Sequence, residues 1–282
     1  MRRRAIVSIL AACAASTLLG PQPARAQLPA SFVANYARAL DAMKTAYAQA
    51  TVEGTVKQEN LVARTSQDRS FTLRISGNWF RLDATTTAQV GTKAVVGGMD
   101  TVLATPDASL QGYQEPNTQR MSNKMKEYTY DDSRVAIDRL IPLAFPYSLG
   151  TQGTILDMLR SGGVTITSFK TGSRDGERMI QIKYDQQVSP DGQYGPWKCS
   201  LLLAPDQGYT LRDYEWTAGF GSQRVSVRGS LSYSVDSKGV PLLESFSRTD
   251  LRGSSPISKQ SLSISKFDTE QPTLIEFRAD GF

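Results

Sequence analysis

The chain has 282 residues, with 32 lysines and arginines against 27 aspartates and glutamates, and no histidine. Without histidine it lacks the commonest general base and the commonest zinc ligand, and every Ser-His or Cys-His nucleophile arrangement is excluded. Its two cysteines, Cys13 and Cys199, are too few for a disulfide framework.

Residues 1–26 have the three-part layout of a cleaved signal peptide. Arg2, Arg3 and Arg4 form a positive start, an apolar stretch runs from Ala5 to Leu19, and Ala24-Arg25-Ala26 supplies the small residues of a cleavage site. The apolar stretch is shorter than the ~20 residues that a membrane-spanning helix needs. The expected mature chain therefore starts at Gln27 and works in the periplasm or outside the cell. Leu10-Ala11-Ala12-Cys13 offers an alternative, a lipid anchor at Cys13, but this cysteine sits in the middle of the apolar run and not at its end. Four of the 32 basic residues (2, 3, 4 and 25) fall in this segment, which leaves 28 basic against 27 acidic in the mature part. No basic run with interleaved aromatics remains to track a phosphate backbone, so nucleic acid is not an expected partner.

From Ser31 to Ala50 the spacing predicts an amphipathic helix, with Phe32, Tyr36, Leu40, Met43 and Tyr47 on one face. After Ala50 the period changes to two. Phe71, Leu73 and Ile75 alternate with polar residues, as do Ile180, Ile182 and Tyr184. Val225, Val227, Leu231 and Tyr233 stand opposite Arg224, Ser226, Arg228, Ser230 and Ser232. Such alternation marks antiparallel strands with one solvated face. Turn residues separate them at Ser76-Gly77-Asn78, Arg174-Asp175-Gly176, Pro205-Asp206-Gln207-Gly208 and Asp236-Ser237-Lys238-Gly239, which predicts a meander of hairpins.

The middle of the chain reads as a helical insert. Asp132-Ser133 caps a short helix to Leu140, and Thr154-Ile155-Leu156-Asp157 has capping-box form ahead of Gly162-Gly163. The expected order is a helix, about three strands, the insert, then about six strands. That is an α+β fold: one domain over 27–282, a curved antiparallel sheet with helices on its concave face.

Catalytic and metal-binding patterns are sparse. Ser263-Ile264-Ser265-Lys266 matches S-x-x-K but lies in an alternating strand, and Cys199 reads as a small buried hydrophobe. No phosphate loop, nucleophile elbow, dinucleotide fingerprint or calcium loop occurs, so no catalytic residue, metal or cofactor is expected. An outer-membrane barrel is disfavoured as well. Counting back in twos from Phe282 gives Asp280 and Arg278, where such barrels place apolar residues.

Three segments carry a resemblance. Gly54-Thr55-Val56-Lys57-Gln58, Ser76-Gly77-Asn78-Trp79-Phe80-Arg81-Leu82 and Ala94-Val95-Val96-Gly97-Gly98-Met99-Asp100 resemble strands and turns of the bacterial Lol lipoprotein carriers. The LppX lipid carriers and the RseB stress sensor belong to the same superfamily. Ser76 and Gly77 replace that family's Arg-Pro pair, so the arginine that ties the carriers' lid has no counterpart at this place. The resemblance implies a half-open β-barrel around helices, whose cavity accepts an acyl chain of a lipid or lipoprotein. The candidate lining is Val52, Val56, Leu73, Ile75, Trp79, Phe80, Ile180, Ile182, Trp216, Val225, Val227, Leu231 and Tyr233. The alternative is a closed core in a domain that contacts another envelope protein through edge strands or through an aromatic patch at Tyr209, Tyr214 and Trp216.

Overall fold

The computed structural model describes residues 26–105, 109–116, 121–122, 137, 140, 146–149, 154–188, 194–219, 224–269 and 272. The expected signal peptide and Cys13 lie outside them, as do most of the 132–140 helix and the terminal Phe282.

Helix α1 spans Ala30–Tyr47 and buries Phe32, Tyr36, Leu40, Met43 and Tyr47. It stops three residues before the expected end because Gln49 already pairs with Ser76. Strands β1 (Gln49–Asn60), β2 (Thr65–Ser76), β3 (Trp79–Val90), β4 (Met99–Ala104), β5 (Ser109–Gln114) and β6 (Met121–Ser122) follow. Helix α2 spans Ile155–Arg160. Strands β7 (Val164–Arg174), β8 (Glu177–Val188), β9 (Tyr194–Ala204), β10 (Thr210–Ala218), β11 (Val225–Val235), β12 (Pro241–Arg252) and β13 (Ser255–Asp268) complete the described chain.

One antiparallel sheet contains all thirteen strands, in the order β6-β5-β4-β3-β2-β1-β13-β12-β11-β10-β9-β8-β7. It is an α+β curved sheet that does not close, and no described pairing joins its outer strands β6 and β7. The expected count of three strands before the insert was too low by β4, β5 and β6. In β4, Thr101, Val102, Leu103 and Ala104 are all buried, so it has no alternation to read, and β5 is mostly polar.

The turns follow their chemistry. Asp175 and Gly176 both take positive φ, 54° and 83°, as a two-residue hairpin turn with the twist of its strands demands. Asp236 Oδ1 accepts hydrogen bonds from the backbone N–H groups of Lys238 and Val240, which closes the β11–β12 turn. Thr154 and Asp157 form the full capping box of α2: Asp157 N–H donates to Thr154 Oγ1 at 3.2 Å, and Thr154 N–H donates to Asp157 Oδ2 at 2.9 Å. Ile137 and Leu140, the two described residues of the other expected helix, are helical, and Ile137 is fully buried.

The core lies between the helices and one face of the sheet. Phe32 packs edge-on against Phe169 of β7 at 5.1 Å, Tyr36 stacks on Tyr209 at 5.8 Å, and Tyr47 packs edge-on against Phe267 of β13 at 4.8 Å. Tyr47 also accepts the Leu243 N–H at 2.8 Å. The helix thus crosses the sheet near the end that carries the β7–β8 and β11–β12 turns.

Candidate functional site: the helix-facing side of the sheet

Directly paired residues of an antiparallel sheet point to the same side, so the register assigns every strand residue to a face. The helix-facing side carries Val52 and Val56 of β1, Leu73 and Ile75 of β2, Phe80 of β3, Ile180 and Ile182 of β8, Trp216 of β10, and Val227 and Leu231 of β11. Each of these ten is buried, and all belong to one apolar cluster with α1 and α2. Val225 and Tyr233 lie on the same side at its margin and are partly buried.

Trp79 does not belong to this set. It immediately precedes Phe80 in β3, and neighbouring strand residues point to opposite faces, so Trp79 stands on the outer side with Arg81 and Asp83. The expected aromatic contact patch is likewise corrected. Tyr214 and Trp216 are 4% and 3% exposed and stack on each other at 4.5 Å, while Tyr209 leans on Tyr36. The alternation was legible, but not which side the helices would cover.

The buried face has few polar groups, and they are unevenly satisfied. Trp216 Nε1–H donates to the Tyr184 hydroxyl at 3.3 Å. The Tyr36 and Tyr233 hydroxyls are buried with no hydrogen-bond partner among the described residues. Burial raises the pKa of both phenols, and the neighbouring Tyr47 and Tyr36 phenols raise that of Tyr233 further, so both stay protonated. A buried hydroxyl without a partner costs about 1–3 kcal/mol, so two hydroxyls of the buried face, one on α1 and one on β11, are left unsatisfied among the described residues. Burial also pushes the Cys199 thiol up to about 12, which makes it unreactive, and the S-x-x-K serines sit on an exposed strand face. Among the described residues no cluster of three or more Cys, Asp or Glu side chains is placed to hold a metal.

Toward the opposite end of the sheet the same face turns polar, a change that sequence reasoning missed. The boundary falls between Val102 and Asp100 in β4, Ala84 and Thr86 in β3, Phe71 and Arg69 in β2, Val56 and Gln58 in β1, Leu262 and Gln260 in β13, and Phe246 and Arg248 in β12. It therefore crosses six adjacent strands as a continuous belt. The signal was present in each strand as a polar residue at a core-period position, and only the register lines these up.

The outer face carries a polar groove of about 510 Å³ over β8–β12, lined by residues such as Gln181, Ser200, Glu215, Arg228 and Ser247. Its charges satisfy one another, as in the 3.1 Å pair of Arg228 with Glu215. At the polar end of the sheet, Leu61 and Val62 in the β1–β2 turn and Val90, Val95 and Val96 around the β3–β4 loop are exposed.

No family model and no curated protein matches the sequence. Solved structures similar to the fold include a domain named for outer membrane lipoprotein sorting from Vibrio parahaemolyticus, 11% identical, with a TM-score of 0.48 over 87% of this chain and 98% of that one. A LolA superfamily protein from Nitrosomonas europaea is 11% identical, with a TM-score of 0.47 over 88% and 99% of the two chains. A DUF1329 family protein from Desulfovibrio piger is 7% identical, also at 0.47, over 88% and 97%. The functional reading stands on the helix-facing side of the sheet itself.

Proposed function

We propose that this chain is an exported envelope protein whose mature domain, residues 27–282, holds an acyl chain of a lipid or lipoprotein between its sheet and its helices. It acts as a carrier or sensor and catalyses no reaction. The observation that supports this reading most directly is the two buried hydroxyls without a partner among the described residues, Tyr36 on α1 and Tyr233 on β11. A helix evolved only to seal a core would leave phenylalanine there. A helix that gives way to an amphiphile leaves groups for the ligand's ester or amide to satisfy. The surrounding surface is suited to a chain, because each buried methylene contributes roughly 0.8 kcal/mol without any directional contact.

Mass spectrometry of an organic extract tests the proposal on protein purified from the envelope without detergent. The expected result is a stoichiometric co-purifying lipid. A lipid-free protein that also fails to bind a fluorescent fatty acid overturns it.

A second reading is a domain that contacts another envelope protein and carries no small ligand. It is favoured by the exposed aliphatic residues Leu61, Val62, Val95 and Val96 on two hairpin tips at one end of the sheet. The same extract separates the two readings.

A further inference from the structure

The two arginines of the polar belt differ in how their charge is met. Arg248 Nε–H donates to Asp250 Oδ1 at 2.7 Å, and the Ser258 hydroxyl donates to the other Asp250 oxygen at 2.7 Å, so that end of the belt is internally neutral. Arg69 lies across from it on β2, with β1 and β13 between their strands. Arg69 is half-buried, yet it donates only to two neutral amides, to Gln58 Oε1 at 3.0 Å and to Gln67 Oε1 at 2.6 Å. Among the described residues its buried Nε–H has no partner, and no carboxylate forms an ion pair with it. Gln67 is itself held in place, its amide nitrogen donating to Thr86 Oγ1 at 3.0 Å.

A guanidinium withdrawn from water and met only by neutral acceptors is undercompensated, and its planar fork suits a carboxylate or phosphate. Burial pulls the Arg69 pKa down and the Asp100 charge pulls it partly back up, while burial raises Asp100 and Arg69 lowers it again, so the two charges meet without an ion pair between them. On the same face, Val56 is the direct neighbour of Arg69 on β1 and Phe71 follows it along β2, so the charge stands at the margin of the apolar surface. From Arg69 to Ile75 the strand runs six residues, ~20 Å of apolar face.

We infer that Arg69 is the headgroup site of an amphiphile, receiving a carboxylate or phosphate whose attached chain lies along the apolar face toward Ile75. The inference rests on the acyl-binding reading above and narrows its ligand to an anionic amphiphile. Gln58 and Gln67 hold the guanidinium in place through their amide oxygens.

The test titrates full-length mature protein with single-chain probes that share one twelve-carbon tail: dodecanoate, dodecyl phosphate, dodecanol and dodecyltrimethylammonium, each below its micelle-forming concentration. The two anions are expected to bind at least roughly tenfold more tightly than the alcohol, as a charge-assisted hydrogen bond implies. Arg69→Met is expected to erase that preference and leave dodecanol binding unchanged, while Arg248→Gln retains it. Equal affinity for anion and alcohol in the parent protein overturns the headgroup site and leaves acyl binding standing. If no probe binds, the acyl-binding reading itself falls. Inorganic phosphate competing as well as dodecyl phosphate shows a free-anion site and overturns the inference. The parent comparison decides the matter even if Arg69→Met does not fold.

Discussion

A Cβ built on Gly229 would lie 2.2 Å from the Tyr214 ring, on the strand directly paired with it. Gly229 does not take positive φ, so its small size matters here for space and not for backbone freedom. The ring occupies what would be side-chain volume on β11 and reaches Trp216 and Phe246, at 4.5 and 6.4 Å between centroids. Gly229→Ala therefore overpacks this layer, and a loss of ~1–3 kcal/mol is expected in chemical denaturation. An unchanged midpoint would mean that Tyr214 swings aside freely, and that the layer is softer than its stacking indicates.

At the scale of elements, α2 has only six residues, and its start depends on Thr154 and Asp157. Hydrogen bonds from the Thr154 backbone and hydroxyl, in that order, hold the Asp157 pKa below its ordinary value. A depressed carboxylate pKa means that the folded state prefers the charged form. This contribution is present above the unfolded pKa, ~3.9, and is lost as pH falls through the lower folded value. Thr154→Ala is expected to cost ~0.5–2 kcal/mol at pH 7. The deficit relative to the parent protein should shrink in thermal melts as the pH falls through the lowered Asp157 pKa, because a protonated Asp157 no longer rewards the cap. A deficit constant from pH 7 to pH 2 would assign the whole effect to the hydroxyl and none to the carboxylate.

For the whole molecule, the two halves of the sheet meet where β1 pairs with β13, the register running from Thr51 opposite Asp268 to Asn60 opposite Ser258. Every other pairing in the sheet joins strands that are neighbours in sequence. This one ladder joins residues about two hundred positions apart, so its loop closure carries the largest entropy cost of folding. Its amides are central and doubly flanked, whereas β6 and β7 are edges. Native-state hydrogen exchange is expected to show β1 and β13 opening only with global unfolding, and β7 exchanging far sooner. Early exchange in the β1–β13 ladder would show that the halves come apart as separate units.

The sequence by itself determined the local structure. The four-and-three spacing from Phe32 to Tyr47 produced α1, the period of two produced β2, β8 and β11, and Thr154 with Asp157 set the start of α2, because each depends on neighbours within a few residues. These elements in their order specify an α+β antiparallel meander. Most of the apolar strand residues that face the helices were legible for the same reason, and Trp79 was misplaced because its neighbour Phe80 is just as apolar and only pairing says which of them faces the helices. Strand β4 was illegible because burial on both faces removes the alternation that reveals a strand. The polar belt belongs to the tertiary structure alone. Gln67, Gln58, Gln260 and Arg248 lie on four strands drawn from both ends of the chain, and only the β1–β13 ladder brings them into one row, with Arg69 one step along β2. Long-range register, which no local pattern encodes, decided where the apolar face ends and where a half-buried guanidinium stands beside it.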